Sequence, residues 1–239
     1  MNFDFLIAGA IGLGPILFLM YYTLKSYTFP VVEKPFFDDR RIFLFLAIGL
    51  IVGVVVWFFE FGFYFGDVIV ALAFAVIEEL VRLVILNFKR FQRKLDTVFI
   101  GLVLGLGMGG AIATGNVFAS LSSLAGLIGP ADIAILILVS IQLGTLGGAT
   151  GATIGAGVAK SLPFSYFAQA AMVHIAVNLI MIGFYLSGDL LIGSIFLVIA
   201  TAIPAYYYWY VHTRLIPNLV KGEVKRYGKK AKKIKKVAQ

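Results

Sequence analysis

Cysteine is absent from the 239 residues, which excludes a disulfide framework and thiol chemistry. Histidine occurs only twice, at His174 and His212. With two distant histidines and no H-E-x-x-H, no zinc site is legible and no metal or other cofactor is expected. Charged residues make up only 13% of the chain. The segment "MNFDF" carries an acid and no basic residue, so a cleaved signal peptide is not expected and the first apolar stretch reads as a permanent span. No Ser–His–Asp constellation is evident.

What the chain has in excess is apolar surface. Hydrophobic residues account for 61% and the mean hydropathy is +0.98, more than a soluble domain of this length could hide. A spanning helix needs about 20 apolar residues. Seven segments meet that length, roughly 4–22, 42–66, 68–88, 97–122, 131–158, 163–187 and 189–211. The expected fold is a single all-α, seven-span bundle over residues 1–213, followed by a basic tail over 214–239.

Basic residues check that count. Apart from Arg82, Lys and Arg fall only in the first, third and fifth connections and in the tail, while the other side carries Asp4, Asp67, Asp132 and Asp189. Lys and Arg are retained on the cytoplasmic side, so an integral membrane protein with its amino terminus outside and its tail inside is expected. The aromatic runs "WFFEFGFYF" (57–65) and "YYYWY" (206–210) read as interfacial belts. The tail, "KGEVKRYGKKAKKIKK", reads as an anchor for anionic lipid, each Lys contributing about 1 kcal/mol near the surface. A nucleic-acid or ribosome contact is the rival partner for it.

The third span, "AFAVIEELVRLVIL" (73–86), places Glu78, Glu79 and Arg82 where water is scarce. An ionisable group there costs from ~2.5 to ~10 kcal/mol, which marks a functional position by default. Arg82 is i+4 from Glu78 and i+3 from Glu79, so all three share a face. One carboxylate is expected to pair with Arg82 and the other to be left over. In the sixth span, His174 and Asn178 lie one turn apart on one face, at the same mid-plane depth. The plain alternatives are an ion pair that fixes helix packing and a histidine bonded to a neighbour. A carboxylate, an imidazole and an amide converging in a dry cavity would suit activation of water, with Glu as general base and His174 and Asn178 holding the oxyanion.

Gly101, Gly105 and Gly109 in span four, and Gly147, Gly151 and Gly155 in span five, form small-residue stripes for close helix packing. A G-x-G-x-x-G nucleotide site is excluded because no strand precedes these glycines. Gln142, Thr145 and Thr153 share a face of span five, with Thr150 at its margin. They line a polar cavity or, for the threonines, bond back to their own helix. Glu60, among aromatics at the end of span two, reads as reaching out to water, and His212 as solvated.

"EELVR" on one span and "HIAVN" on a later one, with a glycine-rich helix opening at Asp96 between them, resemble the PrsW branch of intramembrane glutamic proteases. That branch is similar to the CAAX-endopeptidase and bacteriocin-processing family. The resemblance covers spans three to six. It implies a polytopic, metal-independent protease with Glu78 and Glu79 as the acid pair, Arg82 as their basic partner, and His174 and Asn178 as the oxyanion and water-positioning pair. The family also carries an acid before an Asn in the glycine-rich segment; here that position is Ile112 counted from the glycines, or Gly115 counted from Asn116. The expected activity is cleavage of a membrane-anchored protein or peptide substrate. Two other readings stay open: an inactive scaffold or accessory subunit that binds a partner helix, and a proton-coupled or small-solute transporter with the Glu pair as carrier.

Overall fold

The computed structural model describes residues 3–33, 35–63, 67–124 and 129–225. Seven helices make up the bundle: α1 (Phe3–Leu24), α2 (Asp39–Glu60), α3 (Val68–Leu86), α4 (Asp96–Leu124), α5 (Pro130–Ala159), α6 (Pro163–Leu186) and α7 (Leu190–Tyr210). No strand occurs among the described residues. Six of the helices are long and apolar enough to cross a membrane. The remaining one, α3, is 19 residues long and carries Glu78, Glu79 and Arg82.

Helix starts follow local chemistry. Asp38, Asp67 and Asp189 each accept a hydrogen bond from a first-turn backbone N–H, capping α2, α3 and α7, a contact typically worth ~1 kcal/mol. Asp132 does the same for the backbone N–H of Gly129 at the start of α5. Of the acids opposite the basic connections, Asp67, Asp132 and Asp189 therefore have a structural task besides any topological one.

The centre of the bundle is α4, whose apolar stretch is almost wholly enclosed, as a stretch of helix without a polar face must be. It lies antiparallel to α5 along the glycine stripes. A methyl at Gly101 would run into the carbonyl of Gly151, and one at Gly105 into that of Gly147. Gly109 meets the backbone of Leu143, and Gly155 that of Thr97. Such close approach substitutes packing for the hydrophobic driving force that lipid does not supply. Around this pair, α1 and α2 pack on α4, α7 and α6 on α5, and α3 chiefly on α6. Although consecutive in the chain, α2 and α3 scarcely touch along their backbones. A cleft is left between them, with Glu60 on one wall and Glu78 on the other.

The basic connections share one face: Arg41 bonds Asp96 at 3.1 Å, and Arg93 reaches Ser161 Oγ at 3.2 Å and the carbonyl of Val158 through its backbone N–H. Three features depart from the sequence reading. Helix continues past residue 213, through a π-type turn at Val211–Leu215 and on to Lys225. Leu215 and Ile216 are buried there because that turn presents an apolar side to the core. The tail from 226 onward lies outside the described residues. Within "YYYWY", Tyr206 and Trp209 face outward, but Tyr207 and Tyr208 turn inward, because each hydroxyl has a buried partner: Thr153 for Tyr207 at 2.7 Å, and Thr23 for Tyr208 at 2.8 Å. His212 is half-buried rather than solvated, its ring against that of Tyr22.

Candidate active site

The site begins with the register of α3. Ala71, Ala75, Glu78, Glu79, Arg82, Leu83 and Leu86 are buried, while Ile69, Val76, Ile77, Leu80 and Val84 are exposed. Helical spacing thus gives one face to lipid and turns all three charges inward. The inward face of α6 presents Ala170, Ala171, His174 and Val177. Alanines on both helices let them approach. Asn178 fixes the approach, its Nδ2 donating to the carbonyl of Ala71 at 3.0 Å.

Four side chains meet at that interface. Glu79 is fully buried, and Arg82, His174 and Glu78 are 1%, 2% and 5% exposed. Instead of choosing one carboxylate, the Arg82 guanidinium bridges both: Nη1 bonds Glu79 Oε1 and Nη2 donates to Glu78 Oε2 at 2.9 Å. The expectation of a single pair is corrected here, because the planar fork offers two parallel donors that fit carboxylates at i−3 and i−4 together. Nη1 also reaches Thr150 Oγ1 at 3.3 Å. His174 sits across the two acids, with Nδ1 2.8 Å from Glu79 Oε1 and Nε2 3.4 Å from Glu78 Oε1. Glu79 is held by Arg82 as an acceptor, so the Nδ1–H donates to it, and this fixes the ring with Nε2 toward Glu78. Glu79 Oε2 is buried without a partner.

A cavity of about 400 Å³ runs from His174 and Glu78 toward the face where α2, α4 and α6 end and α5 begins. Glu78 lines it; Glu79 does not. Asn178, Asn116, Ser120 and Gln142 add neutral polar groups to its wall. Asn178 joins neither carboxylate. Its bonded N–H is spent on Ala71, and an amide nitrogen has one more to offer. Gln142 Oε1 is buried and unpaired beside the cavity.

Sequence reasoning missed Glu60. Rather than reaching out to water, it is 6% exposed and lines the cavity, within hydrogen-bonding reach of Glu78. The signal was a lone acid with aromatics on both sides. Its inward direction depends on how α2 seats on α4, where Trp57 Nε1 donates to Asn116 Oδ1 at 2.9 Å. Ile112 also lines the cavity, while Gly115 is packed under the Trp57 ring.

Thr145 bonds only carbonyls of its own helix. Thr150 and Thr153 do so too, and add Arg82 and Tyr207 as second partners. Among the described residues no group of His, Asp and Glu is arranged to hold a metal ion.

Comparison with protein-family models, with curated proteins and with solved structures returned no match.

Proposed function

We propose that this protein is an intramembrane, glutamate-dependent peptidase acting on a membrane-anchored protein or peptide. The observation that carries the reading is the pairing of Glu78 with His174 at the inner end of a cavity, with Glu79 and Arg82 sealed behind them. The cleft between α2 and α3 supports it, since a substrate segment in lipid needs a side entrance. The resemblance of "EELVR" and "HIAVN" to PrsW-type proteases points the same way.

Roles follow from position. Glu78 is the carboxylate that faces the cavity, so it removes a proton from water as the water oxygen bonds the scissile carbonyl carbon. The carbonyl π electrons move to oxygen, and His174 Nε2–H and the remaining Asn178 N–H donate to that oxyanion. When the carbonyl reforms, the C–N bond breaks and the nitrogen leaves with one proton, matching the one Glu78 took from water, so the site ends with the protons it began with. Glu79 and Arg82 are positioning residues: Glu79 orients the imidazole through Nδ1, and Arg82 holds both carboxylates in register.

Orientation belongs to this proposal. The basic connections lie together on one face, so the positive-inside rule puts the amino terminus and the cavity mouth outside and the tail in the cytoplasm. A reporter after Lys221 should be cytoplasmic and one at Asp132 external; the reverse result would remove the outside-opening site. For the chemistry, the test is capture of new protein N-termini from membranes of a deletion strain carrying wild type or Glu78→Gln at equal abundance. Ends inside membrane segments should appear with wild type and fall by ~10²–10⁴-fold in the variant. Identical sets of ends, with full rescue by Glu78→Gln, would sink the peptidase reading and favour the scaffold.

A further inference from the structure

Glu60 is the cavity carboxyl to which the reaction above gives no task. It comes from α2, is buried, and reaches Glu78 across the α2–α3 cleft. Ionised carboxylates can only accept hydrogen bonds, so contact between the two requires a proton. Charge leads to the same place by a separate route. Glu60, Glu78 and Glu79 are three buried carboxyls facing a single guanidinium, and a cluster of that kind approaches neutrality only by holding protons. His174 sets one ring nitrogen against Glu79 and the other against Glu78. Glu79 is committed to Arg82 and to the His174 Nδ1–H. The carboxyls left to hold a proton between them are therefore Glu60 and Glu78, which line the same cavity.

The surroundings of Glu60 offer no other solution. From α3 it faces Glu78 and Arg82, and from α6 it faces Tyr185, with His174 deeper in the same cavity. The polar residues that line the cavity from α4 and α5, namely Asn116, Ser120 and Gln142, are uncharged. Arg82, the permanent cation among these described residues, is already bonded to Glu78 and Glu79, so it does not offset a third ionised carboxyl touching Glu78.

We propose that Glu60 and Glu78 share one proton at neutral pH and work as a carboxyl pair, with Glu60 as the acid and Glu78 as the base. The catalytic half of this rests on the peptidase reading; the shared proton does not. In the reaction, Glu78 takes the proton of the attacking water while the C–O bond forms. As the C–N bond breaks, Glu60 gives its proton to the departing nitrogen. The proton now on Glu78 then passes into the hydrogen bond between the two, restoring the starting state. Water is consumed, and one amine and one acid are produced.

The test is infrared spectroscopy of the full chain in lipid nanodiscs at pH 7, in H₂O and D₂O. Wild type should show a protonated-carboxyl stretch that shifts in D₂O. The band should vanish in Glu60→Gln and in Glu78→Gln. Glu60→Leu, an apolar residue in largely apolar surroundings, gives the same prediction should the amide variant fail to accumulate. A wild type with no such band, or a band that survives loss of the Glu60 carboxyl, overturns the pair. In the membrane N-terminus assay, Glu60→Gln should lower cleavage by ~10²-fold or more. A band with no cleavage by wild type would leave the pair standing and remove the peptidase; cleavage with no band would do the opposite.

Discussion

Along the α4–α5 seam backbone meets backbone, with glycines admitting carbonyls where any methyl would collide. Between α2 and α3 the backbones stand apart, and charged side chains bridge the gap. Both interfaces lie inside an apolar bundle, and each manages polar groups differently. The seam keeps every peptide dipole inside its own helix and relies on fit. The cleft gathers carboxyls from two helices and a histidine from a third, and relies on one arginine to hold them. A helix that only needs to pack can do so with small residues. A cluster that strands buried oxygens such as Glu79 Oε2 and leaves a cavity beside them does not maximise packing.

If that contrast is right, the largest effect in the molecule belongs to Arg82. Arg82→Ala leaves Glu78 and Glu79 buried without their cation and should lower stability by about 3–5 kcal/mol, read as the unfolding midpoint in mild detergent. Adding Glu78→Gln and Glu79→Gln to Arg82→Ala should restore most of the loss, because the charges are then removed together. A single variant as stable as wild type would mean that the cluster is solvated and that the cleft is not a dry site.

These two regions also differ in how much of them could be read in advance. Four-residue glycine spacing marks a seam directly, because the spacing is the contact. The Glu78–Arg82 and His174–Asn178 pairs were legible for the same reason: helix geometry aligns residues four apart, and equal depth placed the two helices' polar groups together. Direction across the bundle was not legible. Nothing in the chain says that Glu60 turns inward beside Trp57, that Arg82 grips both acids, or that Tyr207 and Tyr208 leave the interface for buried threonines. Those outcomes depend on which helices become neighbours, which no single periodicity encodes.

The seam itself should respond next most strongly. Gly105→Ala puts a methyl against the Gly147 carbonyl and should cost ~1–3 kcal/mol, the usual scale of overpacking. Gly9→Ala is the control: nothing lies within 4 Å of its added methyl, and alanine is the better helix former. The comparison breaks if both variants unfold at the same midpoint.

The smallest effects separate two kinds of threonine on α5. Thr145 bonds only carbonyls of its own helix, Ile141 and Gln142. Thr153 bonds Ala149 in the same way but also meets the Tyr207 hydroxyl at 2.7 Å. Valine keeps the shape of threonine and loses the hydroxyl. At Thr145 the carbonyls keep their helical N–H partners, so Thr145→Val should change stability by less than about 0.5 kcal/mol. At Thr153 the same change strands a buried phenol, and the loss should be ~1 kcal/mol or somewhat more. Tyr207→Phe should erase that difference, because the phenol and the hydroxyl then leave together. Additive losses from Thr153→Val and Tyr207→Phe would show that the two side chains are not coupled and that α7 is held to α5 by packing alone.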